Sequence, residues 1–246
     1  MKICSLHSWD VPYSEARSIQ ESLGKKVRFG PLPKRLRFVA GADVSYEKHS
    51  DLFFAGAVVW DMKKLEVVEE CGAVTRVNFP YIPGLLSFRE APSILEAFRK
   101  VTNRVDAVIV DGQGIAHPRG FGLASHICLL LDKPGAGCAK SLLVGKHGPV
   151  GMRKGDRTDL MYDGKRIGVA LRTRDNVKPV FISPGHRLGV DETAELVLRC
   201  ALKYRLPEPT RMAHNYVNKL RRDAGIELLD GDRMQNNKAN PGRRPS

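Results

Sequence analysis

The sequence predicts an α/β fold, in which a single domain is built on a mixed β-sheet flanked by helices. The chain has 246 residues, enough to bury one sizeable core. Three strand-like runs follow one another with short connections, which is typical of an antiparallel meander. Later apolar runs alternate with helix-like segments, which is typical of βαβ units. The three runs of the meander are LRFVAGADVSY (36–46), LFFAGAVVWD (52–61) and LEVVEECGAVTRV (65–77).

A helix is predicted ahead of the meander, over residues 10–24. Asp10 is a candidate cap, Pro12 suits a first turn, and Gly24 can end the helix. The basic, proline-containing stretch 25–35 then connects this helix to the first strand. It is too short to separate two domains, so we expect it to lie on the surface.

A stiff loop, NFPYIPG (78–84), follows the meander and leads into a second helix. Two prolines bracket Tyr81 and Ile82, so the loop presents an aromatic and an aliphatic side chain with little freedom. We expect Pro92 in the first turn of the helix, where proline is favoured. Glu90 would then lie at the junction between loop and helix, where an acid also suits the helix dipole.

The middle of the chain predicts a buried strand that ends in a carboxylate. The β-branched run 105–110 is followed by Asp111 and a glycine-rich loop, an arrangement typical of ligand sites in α/β sheets. The alternative is a solvated Asp followed by a plain loop. A helix is predicted over 123–131 and a strand over 137–145. Lys140 interrupts that strand, so it needs a charged partner or a route to solvent.

The last third of the chain predicts a hairpin, one more strand and two helices. The second of these helices carries His214. A basic tail without a periodic apolar pattern follows it, and we expect this tail to be disordered. The predicted boundaries are 158–173 for the hairpin with Asp163-Gly164 as its turn, 178–186 for the strand, 191–204 and 208–225 for the helices with Asp191 as a cap, and 230–246 for the tail, which leaves a domain of 1–229.

Charge and cysteine content narrow the class of protein. The formal net charge is +13, which favours an anionic partner, with nucleic acid ahead of an anionic membrane. The alternative is a protein that is merely basic. The five cysteines include no CxxC pair, which argues against a disulfide framework and a structural zinc site. No long apolar run is present, so we expect a cytoplasmic protein with no membrane partner.

Three acids stand out once the order of elements is considered. Asp43 interrupts an apolar strand, so it either faces water or holds a metal. The order of elements resembles the ribonuclease H-like architecture, in which the first and fourth strands are neighbours. That pairing would bring Asp43 close to Asp111, and Glu90 is the third acid. Adjacent carboxylates repel one another unless a cation joins them, and Mg²⁺ prefers such oxygen ligands. In a basic protein this combination indicates phosphodiester hydrolysis.

Six motifs strengthen this hypothesis, because together they resemble the endonuclease V family, nucleases that incise nucleic acid near deaminated adenine (inosine). They span almost the whole predicted domain in the family's order. The motifs are GADVSY (41–46), FPYIPGLLSFRE (79–90), VDGQGIAHPRGFGLASH (110–126), GCAKSLL (137–143), ISPGH (182–186) and LPEPTRMAH (206–214).

The resemblance implies catalytic roles for five residues. Asp43, Glu90 and Asp111 match the family's metal-binding acids, with Mg²⁺ as the cofactor and Mn²⁺ able to substitute. His214 would lie near the same centre. Lys140 matches the family's active-site lysine and is expected to contact the phosphate or the attacking water.

The resemblance also implies how the lesion is recognised. Tyr81 matches the wedge that enters the duplex beside a base flipped out of the stack. The expected residues of the substrate site are Tyr81, Pro83, Gly84, Leu85, Gly112, His117 and Arg119. The implied enzyme is a monomer that cuts DNA containing deoxyinosine at the second phosphodiester bond 3′ to the lesion and so initiates repair. Alternatives are an endonuclease for inosine-containing RNA, a branched-structure nuclease of the same fold, or a protein that binds such nucleic acid without cutting.

Overall fold

The computed structural model describes the backbone of residues 1–46 and 51–238, and side chains as far as residue 225. These residues form five helices and eight strands. In chain order they are α1 (Tyr13–Gly24), β1 (Phe38–Tyr46), β2 (Leu52–Asp61), β3 (Glu66–Arg76), α2 (Leu86–Lys100), β4 (Ala107–Val110), α3 (Leu123–Leu131), β5 (Gly135–Ala139), β6 (Arg157–Tyr162), β7 (Lys165–Leu171), β8 (Val180–His186), α4 (Val190–Cys200) and α5 (Glu208–Lys238).

All eight strands belong to one mixed sheet, in the order β3-β2-β1-β4-β5-β8-β7-β6. The antiparallel meander of β1, β2 and β3 is confirmed. Strands β4 and β5 are parallel to β1, and the last three strands add antiparallel pairs at the other edge. The predicted α/β fold with a single mixed sheet is therefore confirmed, including the pairing of the first and fourth strands.

Helices cover both faces of the sheet. Alternate side chains of β1 pack into different core layers, because successive side chains of a strand point to opposite faces of the sheet. Ala40 and Ala42 belong to a core cluster with Ile94 of α2. Val39 belongs instead to a cluster with Leu196 of α4. We refer to these as the α2 face and the α4 face of the sheet; α3 packs on the first.

Glycines in the meander let α5 lie close against the α4 face. A Cβ on Gly41 would stand 2.0 Å from the carbonyl oxygen of Pro209, so only glycine fits there. On β2 and β3, a Cβ on Gly56 or Gly72 would come within 3 Å of side chains of α5. The start of α5 can therefore pack directly on the backbone of β1, because the glycines beneath it have no side chains.

Several boundaries differ from those predicted. Helix α1 begins at Tyr13 with Pro12 as its N-cap residue, so Asp10 does not cap it. Helix α2 begins at Leu86, which places Pro92 inside the helix and Glu90 within its second turn. Burial of Phe88 and neighbouring residues stabilises the turns of α2 that precede Pro92. Pro92 has no backbone N–H, so the helix lacks one hydrogen bond near its start.

Two predicted strands and a cap also differ. Strand β5 ends at Ala139, so Lys140 lies just beyond the strand, where its ammonium group can keep contact with water. Strand β8 begins at Val180, two residues later than predicted, and ends at His186 as predicted. The N-cap of α4 is Gly189, and Asp191 in its first turn instead pairs with Arg166 of β7.

The C-terminal helix is longer than predicted. The backbone of α5 is helical through Lys238, beyond the expected end at residue 225. The predicted tail, 230–246, therefore overlaps the helix over residues 230–238, and its remainder lies outside the described residues. Within the described part of the chain, no helix is both long enough and apolar enough to cross a membrane. All five cysteines are free thiols.

Candidate active site

The three acids predicted from sequence meet where β1 and β4 run side by side. Ala42 and Val110 are register partners in these parallel strands. Asp43 and Asp111 follow them directly, and the backbone N–H of Asp111 donates to the carbonyl of Ala42 at 3.3 Å. Glu90 reaches the same region from α2 on the other face of the sheet. The acids therefore come from two strands and a helix that are far apart in sequence.

The electrostatics of the site confirm that the acids interact. Burial, followed by the charges of Asp43 and Asp111, raises the pKa of Glu90 from 4.5 to about 8. Burial and the charge of Asp111 also raise the pKa of Asp43, against the lowering effect of its bond with His214. The charges of Asp43 and Asp111 make ionisation of Glu90 more costly, which is the condition that a bound cation relieves.

His214 of α5 lies against Asp43. Its Nδ1 is 2.8 Å from Asp43 Oδ2, and its Nε2 is 3.1 Å from Asn218 Nδ2. The Ser45 hydroxyl donates to Asn218 Oδ1 at 3.2 Å, which turns the amide nitrogen towards the imidazole. With the amide donating to Nε2, the proton of His214 lies on Nδ1 and is donated to Asp43.

Lys140 closes the other side of the acid cluster. Its Nζ donates to Asp111 Oδ2 at 2.6 Å, and its side chain is 45% exposed. Burial opposes the charged form of Lys140, but the bond and charge of Asp111 and the charge of Asp43 outweigh it and raise the pKa. The ammonium group therefore stays charged and lies where a phosphate can approach.

The donor set suits a hard divalent cation. Among the described residues, no group of three or more acidic, cysteine or histidine side chains stands at metal-ligand spacing. Asp43 and Asp111 each direct one carboxylate oxygen to a neighbouring nitrogen instead. The chemistry nevertheless fits, because three mutually repelling carboxylates offer the oxygen ligands that Mg²⁺ prefers. Asp43, Glu90 and Asp111 are the residues that could hold such an ion.

The glycine-rich loop after β4 is shaped largely by its own packing. A Cβ on Gly114 would stand 2.0 Å from the carbonyl oxygen of Pro184, and one on Gly122 would stand 2.4 Å from that of Gln113. These two glycines therefore serve close backbone packing rather than approach to a ligand. Gly112 has a φ of +156° beside Asp111 and remains the glycine of the loop nearest to the acids.

His117 and Arg119 both reach the carbonyl of Gly84. His117 Nδ1 accepts from the Arg119 backbone N–H at 3.2 Å, so Nε2 donates to Gly84 at 3.1 Å. Arg119 adds a bond from Nη2, and its Nε donates to Gln20 at 2.7 Å. Burial, followed by the charge of Arg119, lowers the pKa of His117 to about 4. Both side chains thus hold the proline-bracketed loop in place; direct contact with substrate stays a prediction.

The remaining predicted residues lie on that loop. Tyr81 is 67% exposed, and Pro83 beside it is exposed as well. Gly84 has a φ of +79°, a conformation that favours glycine. Leu85 is fully buried with Ala16 and Phe88, so its side chain supports the loop from below instead of lining an open surface.

Sequence reasoning missed three residues that organise the site. Asn218 orients His214 from the next turn of α5, and the i, i+4 spacing was the available signal. Arg205 donates to the carbonyl of Lys140 at 2.8 Å and fixes the chain at that point. Arg89 donates to the carbonyl of Phe79 at 2.8 Å and anchors the start of the exposed loop. Neither arginine carries a sequence signal that indicates such a partner.

The chain is similar to proteins of one nuclease family over nearly its whole length. The family model for endonuclease V matches residues 21–215. Endonuclease V of Myxococcus xanthus is 49% identical over 218 residues, covering 88% of this chain and 93% of the relative. Endonuclease V of Gloeobacter violaceus is 50% identical over 231 residues, covering 92% and 94%.

Solved structures agree with this similarity. Endonuclease V from Streptomyces avermitilis has a TM-score of 0.84 at 38% identity, with 92% of this chain and 100% of that chain covered. Endonuclease V from Ciona intestinalis, in complex with a 24mer DNA containing an inosine followed by a ribo-adenosine, has a TM-score of 0.76 at 27% identity, with 86% and 98% covered.

Proposed function

Since this chain belongs to the endonuclease V family, nucleases that hydrolyse phosphodiester bonds, we propose that it cuts nucleic acid at inosine, chiefly deoxyinosine. In this proposal it acts as a monomer with Mg²⁺, hydrolyses the second phosphodiester bond 3′ to the lesion, and so initiates repair. The observation that carries the proposal is the meeting of Asp43, Glu90 and Asp111 beside Lys140 and His214.

A divalent metal is implied by the nuclease family, and the three acids are its proposed ligands. When bound there, Mg²⁺ would activate water and stabilise the charge that develops on the leaving oxygen, with Mn²⁺ able to substitute. Glu90 makes the site dependent on such an ion, because its raised pKa of about 8 leaves it largely protonated at neutral pH without a cation.

The flanking side chains position the reacting groups. Lys140 is held by Asp111 and keeps its charge, so its ammonium group can bind a non-bridging oxygen of the scissile phosphate. His214 holds Asp43 through Nδ1 and is itself fixed by Asn218. This pairing limits the rotation of the Asp43 carboxylate, as outer-shell partners of metal ligands commonly do.

The exposed loop supports the proposed recognition step. A base inside a duplex must leave the stack to be read fully, and an exposed aromatic on a stiff loop can fill the space it leaves. Tyr81 meets this requirement, and the backbone around Gly84 and Gly112 is the proposed wall of the base pocket. His117 and Arg119 would keep that wall fixed by holding Gly84.

Inosine-containing RNA is the second candidate substrate. The Ciona intestinalis protein was solved with a strand in which a ribonucleotide follows the inosine, so that relative accepts a 2′-hydroxyl beside the lesion. Two further hypotheses are a nuclease that acts on branched nucleic acid and a protein that binds inosine strands without cutting them.

One cleavage experiment tests these proposals. Matched inosine oligonucleotides, DNA and RNA, single- and double-stranded, are incubated with and without Mg²⁺, and the cut is mapped. We expect a Mg²⁺-dependent nick at the second bond 3′ to the lesion, with Asp111→Asn as an inactive control that still binds. Release of a free base would identify a glycosylase, and binding without any cut would identify a non-catalytic reader.

A further inference from the structure

The segment before α5 presents an aromatic side chain that has no part in the proposed metal site or lesion pocket. Tyr204 is 48% exposed, and the guanidinium carbon of Arg211 lies 4.1 Å from the centre of its ring. Arg211 is fixed in turn by Glu208, whose Oε2 lies 2.6 Å from Arg211 Nη2. One face of the ring is therefore covered by an immobilised cation, and the exposed part of the ring is open to a planar partner.

Two connections link the segment of Tyr204 to the elements that carry Lys140 and His214. The next residue, Arg205, donates from Nη2 to the carbonyl of Lys140, the lysine that binds Asp111. Arg211, which stacks on the ring, precedes His214 by three residues on α5, and residues at this spacing are neighbours on a helix surface. The segment of Tyr204 is thus connected to the backbone of Lys140 and to the turn of α5 that precedes His214.

Tyr204 and Tyr81 are carried by elements on opposite faces of the sheet. The loop of Tyr81 leads into α2, whereas Tyr204 precedes α5, which is seated on the α4 face at Gly41. The acids at Asp43 and Asp111 lie at the sheet between these faces. A strand whose lesion lies at the Tyr81 loop, and whose phosphate reaches the acids, would on continuing past the acids reach the side of the sheet that carries Tyr204.

We propose that Tyr204 stacks on a nucleobase of the substrate strand on the 3′ side of the scissile phosphate. This inference rests on the proposed function, because it takes the lesion to lie at the Tyr81 loop and the cut to fall 3′ to it. Stacking on an aromatic ring is tolerant of sequence, since every base has a π-face. Arg211 supplies a cation against the ring and Lys140 supplies one at the acid cluster, which suits the phosphates of the same strand.

The test uses a fluorescent base and does not depend on cleavage. Single-stranded inosine oligonucleotides carry 2-aminopurine at successive positions on either side of the inosine, and fluorescence is measured as protein is added without Mg²⁺. We expect quenching at one position 3′ to the cut with the wild-type protein and with Tyr204→Phe. Tyr204→Ala should lose this quenching, whereas Phe29→Ala, which removes an exposed aromatic elsewhere, should keep it.

A second measurement separates stacking from a structural role. With Mg²⁺, Tyr204→Ala should raise KM about fivefold to a hundredfold and change kcat little. Replacing the stacked nucleotide by an abasic one should remove the difference between the wild-type protein and Tyr204→Ala. Equal quenching in both proteins, or a KM defect that persists on the abasic strand, would overturn the proposal. Failure of the wild-type protein to cut inosine strands would contradict the proposed function, while the quenching result would still decide the role of Tyr204.

Discussion

Nδ1 of His214 lies 2.8 Å from Oδ2 of Asp43, so a hydrogen bond joins the last helix to the first strand beside the acid cluster. The two residues are 171 positions apart in sequence. The contact exists because Gly41 lets the start of α5 approach the backbone of β1. Asn218 then fixes the imidazole from its other nitrogen. A glycine on one strand therefore determines how a carboxylate on that strand is oriented.

Loss of His214 is expected to weaken the use of metal more than the binding of lesions. Without the imidazole, the Asp43 carboxylate can rotate away from the orientation that a metal ion requires. His214→Ala should raise the Mg²⁺ concentration needed for half-maximal cleavage, or lower the cleavage rate, by about tenfold to a hundredfold. A Mg²⁺ titration of single-turnover cleavage, together with binding to inosine DNA, measures both effects.

Asn215→Ala is the matched control for this prediction, because Asn215 is the next residue on α5 and is exposed. It should cleave like the wild-type protein at every Mg²⁺ concentration. A His214→Ala protein with an unchanged Mg²⁺ dependence and rate would show that the contact with Asp43 has no role in metal use.

The raised pKa of Glu90 predicts how the stability of the metal-free protein depends on pH. The folded protein holds the Glu90 proton up to a pKa of about 8, whereas the unfolded chain releases it near 4.5. The stabilising contribution is therefore complete at low pH and is lost as pH rises from about 4.5 to about 8. Glu90→Gln should remove this loss, so its Tm should exceed that of the wild-type protein at pH 9, by about 2–4 °C for each 1 kcal/mol recovered.

Thermal melts of both proteins in EDTA, at pH 5 and at pH 9, measure this difference. The two proteins should melt at similar temperatures at pH 5, where Glu90 is protonated in the folded state. Added Mg²⁺ should stabilise the wild-type protein most at pH 9, where Glu90 is ionised. A Tm difference that is the same at both pH values would contradict the assignment of the raised pKa to Glu90.

Local patterns in the sequence were sufficient to predict most of the fold. The glycine signal at Gly24 marked the end of α1, and the apolar run 123–131 has the bounds of α3. The order of strands predicted that Asp43 and Asp111 would be neighbours, because strand order restricts which topologies are available. These features depend on residues that are close in sequence or on a rule about connections.

The predictions that failed depend on contacts between distant residues. Pro92 lies inside α2 because the turns before it are buried, and the burial of those turns is set by tertiary packing. The contacts of Arg205 with Lys140 and of Asn218 with Ser45 were not predicted, because the partners in each are far apart in sequence. The bond from His117 to the carbonyl of Gly84 could not be predicted either, since it follows from how two loops pack.

A methyl group at Gly41 is expected to disturb the active site without touching any acid. The Cβ of Gly41→Ala would stand 2.0 Å from the carbonyl oxygen of Pro209, so α5 must shift away from β1. We expect a loss of about 1–3 kcal/mol in the free energy of unfolding, typical of overpacking, together with reduced cleavage. Denaturant unfolding and single-turnover cleavage below the melting transition measure the two effects separately.

Gly24→Ala provides the comparison, because a Cβ there would meet its nearest neighbour at an ordinary 3.6 Å. That variant should keep both stability and activity close to those of the wild-type protein. If Gly41→Ala is destabilised but cleaves at the wild-type rate, the seating of α5 does not control the orientation of His214.

Tyr81→Ala is expected to impair recognition and leave the chemistry intact. Tyr81 is largely exposed on its loop, so its removal should cost only the stacking that fills the gap beside a flipped base. That stacking is worth about 1–3 kcal/mol, which weakens binding to the lesion about fivefold to a hundredfold. The loss should be larger on duplex DNA, where a wedge has a stack to open, than on single strands, where unstacking is cheap.

Binding and single-turnover cleavage on both kinds of substrate measure this prediction. Saturating enzyme should restore much of the wild-type rate to Tyr81→Ala, because the acids and Lys140 are unchanged, whereas Asp111→Ala should remain inactive at any concentration. Tyr81→Phe keeps the ring and should behave like the wild-type protein. Equal losses on single and double strands would contradict a wedge, since a wedge acts only where neighbouring bases must be separated. A cleavage defect that saturation does not relieve would place Tyr81 in the chemical step instead.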